Sequence, residues 1–281
     1  MLAIVLSLGS AACYGVSNFI GPQLARRHAL VTVLLVSQVA ALLACLAYLL
    51  AAGSSGLTGR ETALAALAGA GNAGGLIGFY KAAELGPLSI AAPIGALGAI
   101  VPAVWGIATG DRLPALEVVG LVLAITGAAL VARRADDPDE TARYVDPRAS
   151  VVWAVASAIA FGVFLTALPP ASESGRALAL LDARLVLVAL IALWAGRRLA
   201  QVRLNGSAGT LAIPGLLLVA GTLLYTFALD HGELSVVAVL GSLFPLFTVG
   251  LSVALLDDRL SREQTIGVVA AFSGIALIAA A

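Results

Sequence analysis

Apolar stretches follow one another along the chain, separated by short polar breaks. Ten of them predict helices: Leu2–Ala25, Val31–Ala52, Thr62–Glu84, Ser89–Thr109, Pro114–Ala132, Ala149–Leu168, Ala177–Ala195, Leu211–Leu229, Leu234–Leu256 and Gln264–Ala281. Each is close to the roughly 20 apolar residues that cross a bilayer core. Pro114 suits a first helical position, where its missing N–H is no loss. Ser261 with Gln264 three residues on reads as a capping box for the last helix. The start, MLAIVLSLGSAACYG, has the apolar look of a signal peptide. It lacks a positively charged leader and runs on to Ile20, so it is expected to be a retained first helix.

Composition turns a helical chain into a membrane one. Of 281 residues, 60% are hydrophobic and only 11% charged, with a mean hydropathy of +1.03; an ordinary soluble domain carries roughly 25% charge. The formal net charge is zero and no basic block stands outside the breaks, which argues against a nucleic-acid partner. Cys13 and Cys45 lie inside apolar runs, and His28 and His231 are isolated near segment ends. No metal-ligand spacing is present, so neither a metal site nor a cofactor is expected.

The longest polar break, Arg133–Arg148, is charged, carries two prolines and lies near the middle of the chain. It divides the chain into 1–132, a linker at 133–148, and 149–281. Sliding the second part back by 147 sets Phe161-Gly162-Val163 on Tyr14-Gly15-Val16 and Asp258-Arg259-Leu260 on Asp111-Arg112-Leu113. It also sets Gly267 on Gly120 and Gly274 on Gly127, while a shift of 146 sets Gly232, Leu234, Ser235 and Gly241 on Gly86, Leu88, Ser89 and Gly95. Glycines and a charged tripeptide recurring at one nearly constant offset signal duplication. Five helices per half is an odd number, so the second half must enter the membrane in the opposite sense. The expected fold is an all-α integral membrane protein of ten transmembrane helices in two inverted five-helix repeats. The twin DRL stretches then mark the start of each repeat's last helix, on opposite faces of the membrane.

Twelve of the sixteen Lys and Arg residues fall in the breaks after odd-numbered helices. Arg60, Arg112 and Arg176 fall on the other side, and Arg184 falls within a helix. Positive charge resists translocation, which puts the linker in the cytoplasm and both termini outside a plasma (inner) membrane.

The stretches YGVSNFIGPQLARR (Tyr14–Arg27), YKAAELGPLSIAAPIGALGAIVP (Tyr80–Pro102), GDRL (Gly110–Leu113), GSLFPLFTV (Gly241–Val249) and DDRL followed by Gly267 and Gly274 resemble the drug/metabolite transporter superfamily. The resemblance is to its ten-helix EamA-type members and covers essentially the whole chain in two copies. It implies movement of small metabolites by alternating access, through a cavity between the halves. Two departures stand out. The family usually carries Glu where Asp111 and Asp258 stand, and its ten-helix members are generally drawn with both termini in the cytoplasm.

Within the helices, LDARL at Leu181–Leu185 is the strongest polar outlier. A charged group costs about 2.5–3.5 kcal/mol or more at the centre of a span. Asp182 and Arg184, two apart on a helix, face different directions and do not simply pair. Arg184 reads as an anion-binding or gating residue and Asp182 as a proton site or its partner. Both also lie within about two turns of the helix start, where snorkelling is cheap. Gln38 aligns with Arg184 in the other half. Pro93, Pro102 and Pro245 sit inside the fourth and ninth runs, where they break helices beside a binding site or make kinks tolerated for packing. Tyr14, Asn18, Asn72, Trp105, Tyr225 and Ser242 are candidates to line the cavity, with interhelical hydrogen bonding and interfacial placement as the plainer roles. Gly71, Gly74, Gly75 and Gly78 give two overlapping GxxxG spacings, which let helices approach closely. Lys81 and Glu84 are placed to pair at a helix end, and Asp230 stands at a similar end position.

The reading is a secondary transporter, not an enzyme, whose partners are a small-molecule substrate and the lipid bilayer, with a homodimer left open. The alternatives are an intramembrane enzyme acting on a lipid or prenyl phosphate, which needs an acid–base pair that the sequence does not display, and a membrane scaffold.

Overall fold

A computed structural model describes residues 2–53, 55–99, 101, 115–133, 145–202, 206–231, 244–256 and 262–280. Among them the chain is helical and contains no strand. In chain order the helices are α1 (Leu2–Ala25), α2 (Leu30–Ala52), α3 (Gly59–Leu85), α4 (Leu88–Ala96), α5 (Ala115–Arg133), α6 (Pro147–Ala171), α7 (Arg176–Ala195), α8 (Ala208–Leu229), α9 (Phe244–Leu256) and α10 (Arg262–Ala280). Short 3₁₀ turns extend α4 (Leu97–Ala99) and α7 (Gly196–Gln201). Local chemistry sets several starts. Thr58 and Glu61 close a full capping box on α3, and the Asp146 side chain accepts from Ala149 N at 3.0 Å ahead of α6, whose first residue is Pro147.

In the fourth run α4 ends at Ala96 and tightens into its 3₁₀ turn; residues 102–109, to which the run was expected to continue, lie outside the described residues. Pro93 lacks the N–H that would hold the Ser89 carbonyl, so the α-helical ladder is already broken one turn before that end. The ninth run is described only from Phe244, so Pro245 is the second described residue of α9. Among the described residues six helices, α1, α2, α3, α6, α7 and α8, are long and apolar enough to cross a membrane. As described, α5 and α10 have 19 residues each, and α4 and α9 only 9 and 13. Pro114, Ser261 and most of the linker lie outside the described residues.

Packing is inside-out relative to a water-soluble protein. Large aliphatic side chains such as Leu43, Leu50, Val152, Ile159, Leu193 and Leu255 face outward, while much of the buried surface is Ala, Gly and Ser. Without a hydrophobic drive between helices in lipid, close backbone approach takes over, and small residues permit it. On α3, Gly71 and Gly78 abut α6 backbone and side-chain atoms at residues 153, 157, 160, 163 and 164, and Gly75 lies under the Phe161 ring. The glycine spacing of helix 3 is therefore a packing seam. The main core draws Phe19, Leu34, Leu76, Tyr80, Leu187, Leu211 and Val249 from six helices of both halves.

Helix contacts come in matched sets. The extensive pairs are α3 with α6 and α1 with α8, α3 with α7 and α8 with α2, α4 with α6 and α9 with α1; α5 packs on α10, α2 on α7 and α4 on α9. Exchanging α1–α5 for α6–α10 turns this set into itself. The atoms repeat the pattern. Ser10 Oγ donates to Gly221 O at 2.8 Å, and Ser157 Oγ donates to Gly75 O at 2.7 Å. Gly15 sits against Phe244 and Phe247, and its counterpart Gly162 sits against Gly98 and Val101.

Chain ends gather on two faces. On one, Asp146 N bonds Leu85 O at 3.0 Å and Arg26 Nη2 donates to Ala83 O at 3.0 Å. On the other, Ser174 N donates to Glu61 Oε1 at 2.8 Å, Ser55 Oγ bonds Ser174 O, and Arg176 meets Asp230 at 3.7 Å. The expected Lys81–Glu84 pair is present at 2.6 Å.

Candidate functional site

The polar side chains of α2 and α7 meet where these two helices cross. Arg184 and Gln38 are both buried, and Arg184 Nη1 donates to Gln38 Oε1 at 2.6 Å. Their separation of 146 residues is the repeat offset, so a position in one half touches its own counterpart in the other. The backbone on either side follows suit. Gly215 of α8 packs on the Ser37 carbonyl, and Gly69 of α3 packs on the Ala183 carbonyl, again at that offset. Glycine is required at both, because a Cβ would overlap the neighbouring carbonyl oxygen. The two backbones thus close tightly around the residues that precede Gln38 and Arg184.

Around the guanidinium lies a narrow cleft lined by Cys45, Tyr48, Leu180, Arg184, Val219, Thr222 and Leu223. The Cys45 thiol is within hydrogen-bond reach of Arg184. Thr222 donates to Leu218 O at 2.9 Å, so the Tyr14 hydroxyl, 2.8 Å from Thr222 Oγ1, is the donor of that pair. The Tyr14 ring also meets Phe244 edge to face, with centroids 6.3 Å apart. A charge-assisted bond to an amide is stronger than a neutral one. An amide, however, brings no negative charge to offset the desolvation of the guanidinium.

Of the residues singled out in the sequence, Tyr14 and Arg184 join this cluster. Tyr225 stands one turn beyond Thr222 on α8, partly buried against Ala3 and Ala228. Asn18 is buried one turn beyond Tyr14 on α1. Asn72 and Asp182 are half-buried, line no part of the cleft and make no hydrogen bond or ion pair among the described residues. Asp182 does not pair with Arg184, as its helical position implies. Pro93 lies within α4 and Pro245 within the described part of α9. Trp105, Ser242 and Pro102 lie outside the described residues. Sequence reasoning passed over Cys45, Tyr48 and Thr222. Cys45 and Tyr48 fall seven and ten residues after Gln38, a spacing that puts all three on one face of α2.

Apolar flanks, small-residue seams and interhelical bonds define a multi-pass helical membrane protein whose halves pack by one repeated scheme. The sequence pattern of the EamA-like transporter family matches twice, over residues 1–133 and 148–280. The chain belongs to that family, a branch of the drug/metabolite transporter type. Over 66 residues it is 41% identical to an uncharacterized protein of Methanocaldococcus jannaschii, a stretch covering 24% of this chain and 48% of that relative. The chain thus spans about half the length of the curated relative it matches. A solved crystal structure superposes with a TM-score of 0.62 at 17% identity, covering 98% of this chain and 95% of the other. That likeness is one of fold.

Proposed function

We propose that the chain is a secondary transporter that carries a small metabolite or drug-like solute by alternating access between two inverted five-helix repeats. Five observations support the repeats: the self-matching helix contacts, the paired serine bonds, the paired glycine seats, the two-fold family match and the segregation of chain ends. In such a fold the exchange axis lies between the halves, and substrate binds near it. The observation that carries the reading is the Arg184–Gln38 contact, a buried polar pair on that axis with a cleft beside it. The chain is read as a plasma-membrane protein with its linker in the cytoplasm and both termini outside. Nothing in the fold or the family match favours an intramembrane enzyme.

Metabolite profiles inside and outside cells that carry the wild type, Arg184→Ala or no copy test this reading. The expected result is a small group of solutes whose distribution depends on the wild type and returns toward background in Arg184→Ala at equal membrane abundance. Unchanged flux in that variant removes Arg184 from the site, and no wild-type-dependent solute at all refutes transport.

A further inference from the structure

Among the described residues, the cleft holds a charge without a carboxylate partner. Arg184 gives Nη1 to Gln38 Oε1 and faces the Cys45 thiol, both neutral partners. Gln38 Nε2 has only a long 3.4 Å contact to Ser37 Oγ, so the amide is held to present its oxygen. Among the described residues no carboxylate is bonded to Arg184. A guanidinium keeps its charge in a protein. A bound anion would balance it.

The surroundings narrow the class. A guanidinium presents a planar fork of N–H donors that fits a carboxylate through two oxygens. Leu180, Val219 and Leu223 give the cleft apolar walls, while Tyr48 and Thr222 supply single hydroxyl-bearing contacts. Such walls are apolar and give little to a hydrated inorganic ion; the free space between them is about 10 Å³, so a short hydrocarbon body enters as the walls part. We propose that the transported solute is a small organic monoanion, its carboxylate on Arg184 and its apolar part against Leu180, Val219 and Leu223. This deepens the transporter reading, but the site is testable by binding alone.

The probes are hexanoate and its uncharged isostere hexanamide, with chloride and phosphate titrated separately in one sulfate-based buffer. Thermal unfolding of the purified full-length protein in detergent is the readout. Hexanoate is expected to raise the melting temperature in a saturable way and hexanamide to leave it unchanged. Arg184→Gln should raise the concentration for half the shift at least about tenfold, with Arg184→Lys between. Gln38→Glu, nearly isosteric, places a carboxylate on Arg184 from within and should abolish the hexanoate shift; it carries the test if Arg184→Gln does not fold. Equal shifts by amide and carboxylate, a hexanoate shift that survives Gln38→Glu, or no Arg184-dependent shift by any probe would each overturn the proposal. So would chloride or phosphate alone giving the full Arg184-dependent shift. Binding without flux in proteoliposomes removes the transport reading and leaves the anion site. Flux without Arg184-dependent binding does the reverse.

Discussion

Replacing Gly71 by alanine adds one methyl group where α3 and α6 touch. That carbon would lie 2.7 Å from the Ala160 carbonyl oxygen, 2.8 Å from Phe164 N and 3.2 Å from Val163 Cβ. An unstrained contact needs about 3.5 Å. The two nearest atoms are backbone, so no rotamer change relieves the overlap and the helices must part. Gly74, one residue before Gly75 on the same helix, provides the control. Its added Cβ would meet only Ala160 Cβ, at 3.3 Å, a side-chain methyl on a more open face. Overpacking costs typically about 1–3 kcal/mol. Gly to Ala in a helix returns about 1 kcal/mol through propensity. Both variants make the same exchange in one helix, so propensity cancels between them. The expected difference is therefore about 1–3 kcal/mol, with Gly71→Ala the less stable. Unfolding in mixed micelles titrated with sodium dodecyl sulfate, followed by tryptophan fluorescence, measures it. Coincident transitions, or Gly71→Ala unfolding later than Gly74→Ala, would refute the view that this seam is closed to a methyl group.

Ser10→Ala and Ser157→Ala remove the two matching interhelical bonds, and each should lower stability by about 0.6 kcal/mol in the same assay. They sit in separate seams, so the double variant should lose the sum; a loss far beyond it would mean the seams are coupled. Thr58→Ala removes the acceptor for Glu61 N and a donor to Glu61 Oε2. It should cost about 1 kcal/mol and speed hydrogen exchange in the first turn of α3, and unchanged exchange would deny the cap its role. Glu140→Cys, on a background lacking Cys13 and Cys45, should react with an impermeant thiol reagent only after cells are opened; labelling of intact cells would invert the topology.

Much of this fold was legible from residues alone, for identifiable reasons. Glycines and a charged tripeptide recur at 146 and 147 residues, which exposed the duplication and aligned Gln38 with Arg184. The GxxxG spacing of helix 3 marked its seam with α6, since only small residues let backbones touch. The faces of the other helices were illegible because lipid and core are both apolar, and periodicity cannot distinguish them. For that reason Cys45, Tyr48 and Thr222 gave no signal of their own: α8 must first pack on α1 and α2 before they surround Arg184. The 3₁₀ turn after Ala96 was hidden for a related reason, since Leu97–Ala99 is as apolar as the residues before it.

The Arg184–Gln38 contact also bears on how such a chain is able to arise. A half-length protein pairing with an inverted copy of itself meets its own residue wherever the exchange axis passes. Glutamine on glutamine is tolerable there, because an amide both donates and accepts. Arginine on arginine is not, because two like charges would face each other away from water. Only after the halves are joined in one chain does each side of the axis vary alone. Arg184 against Gln38 is thus an unlike pair at matching positions, which two identical copies are unable to form.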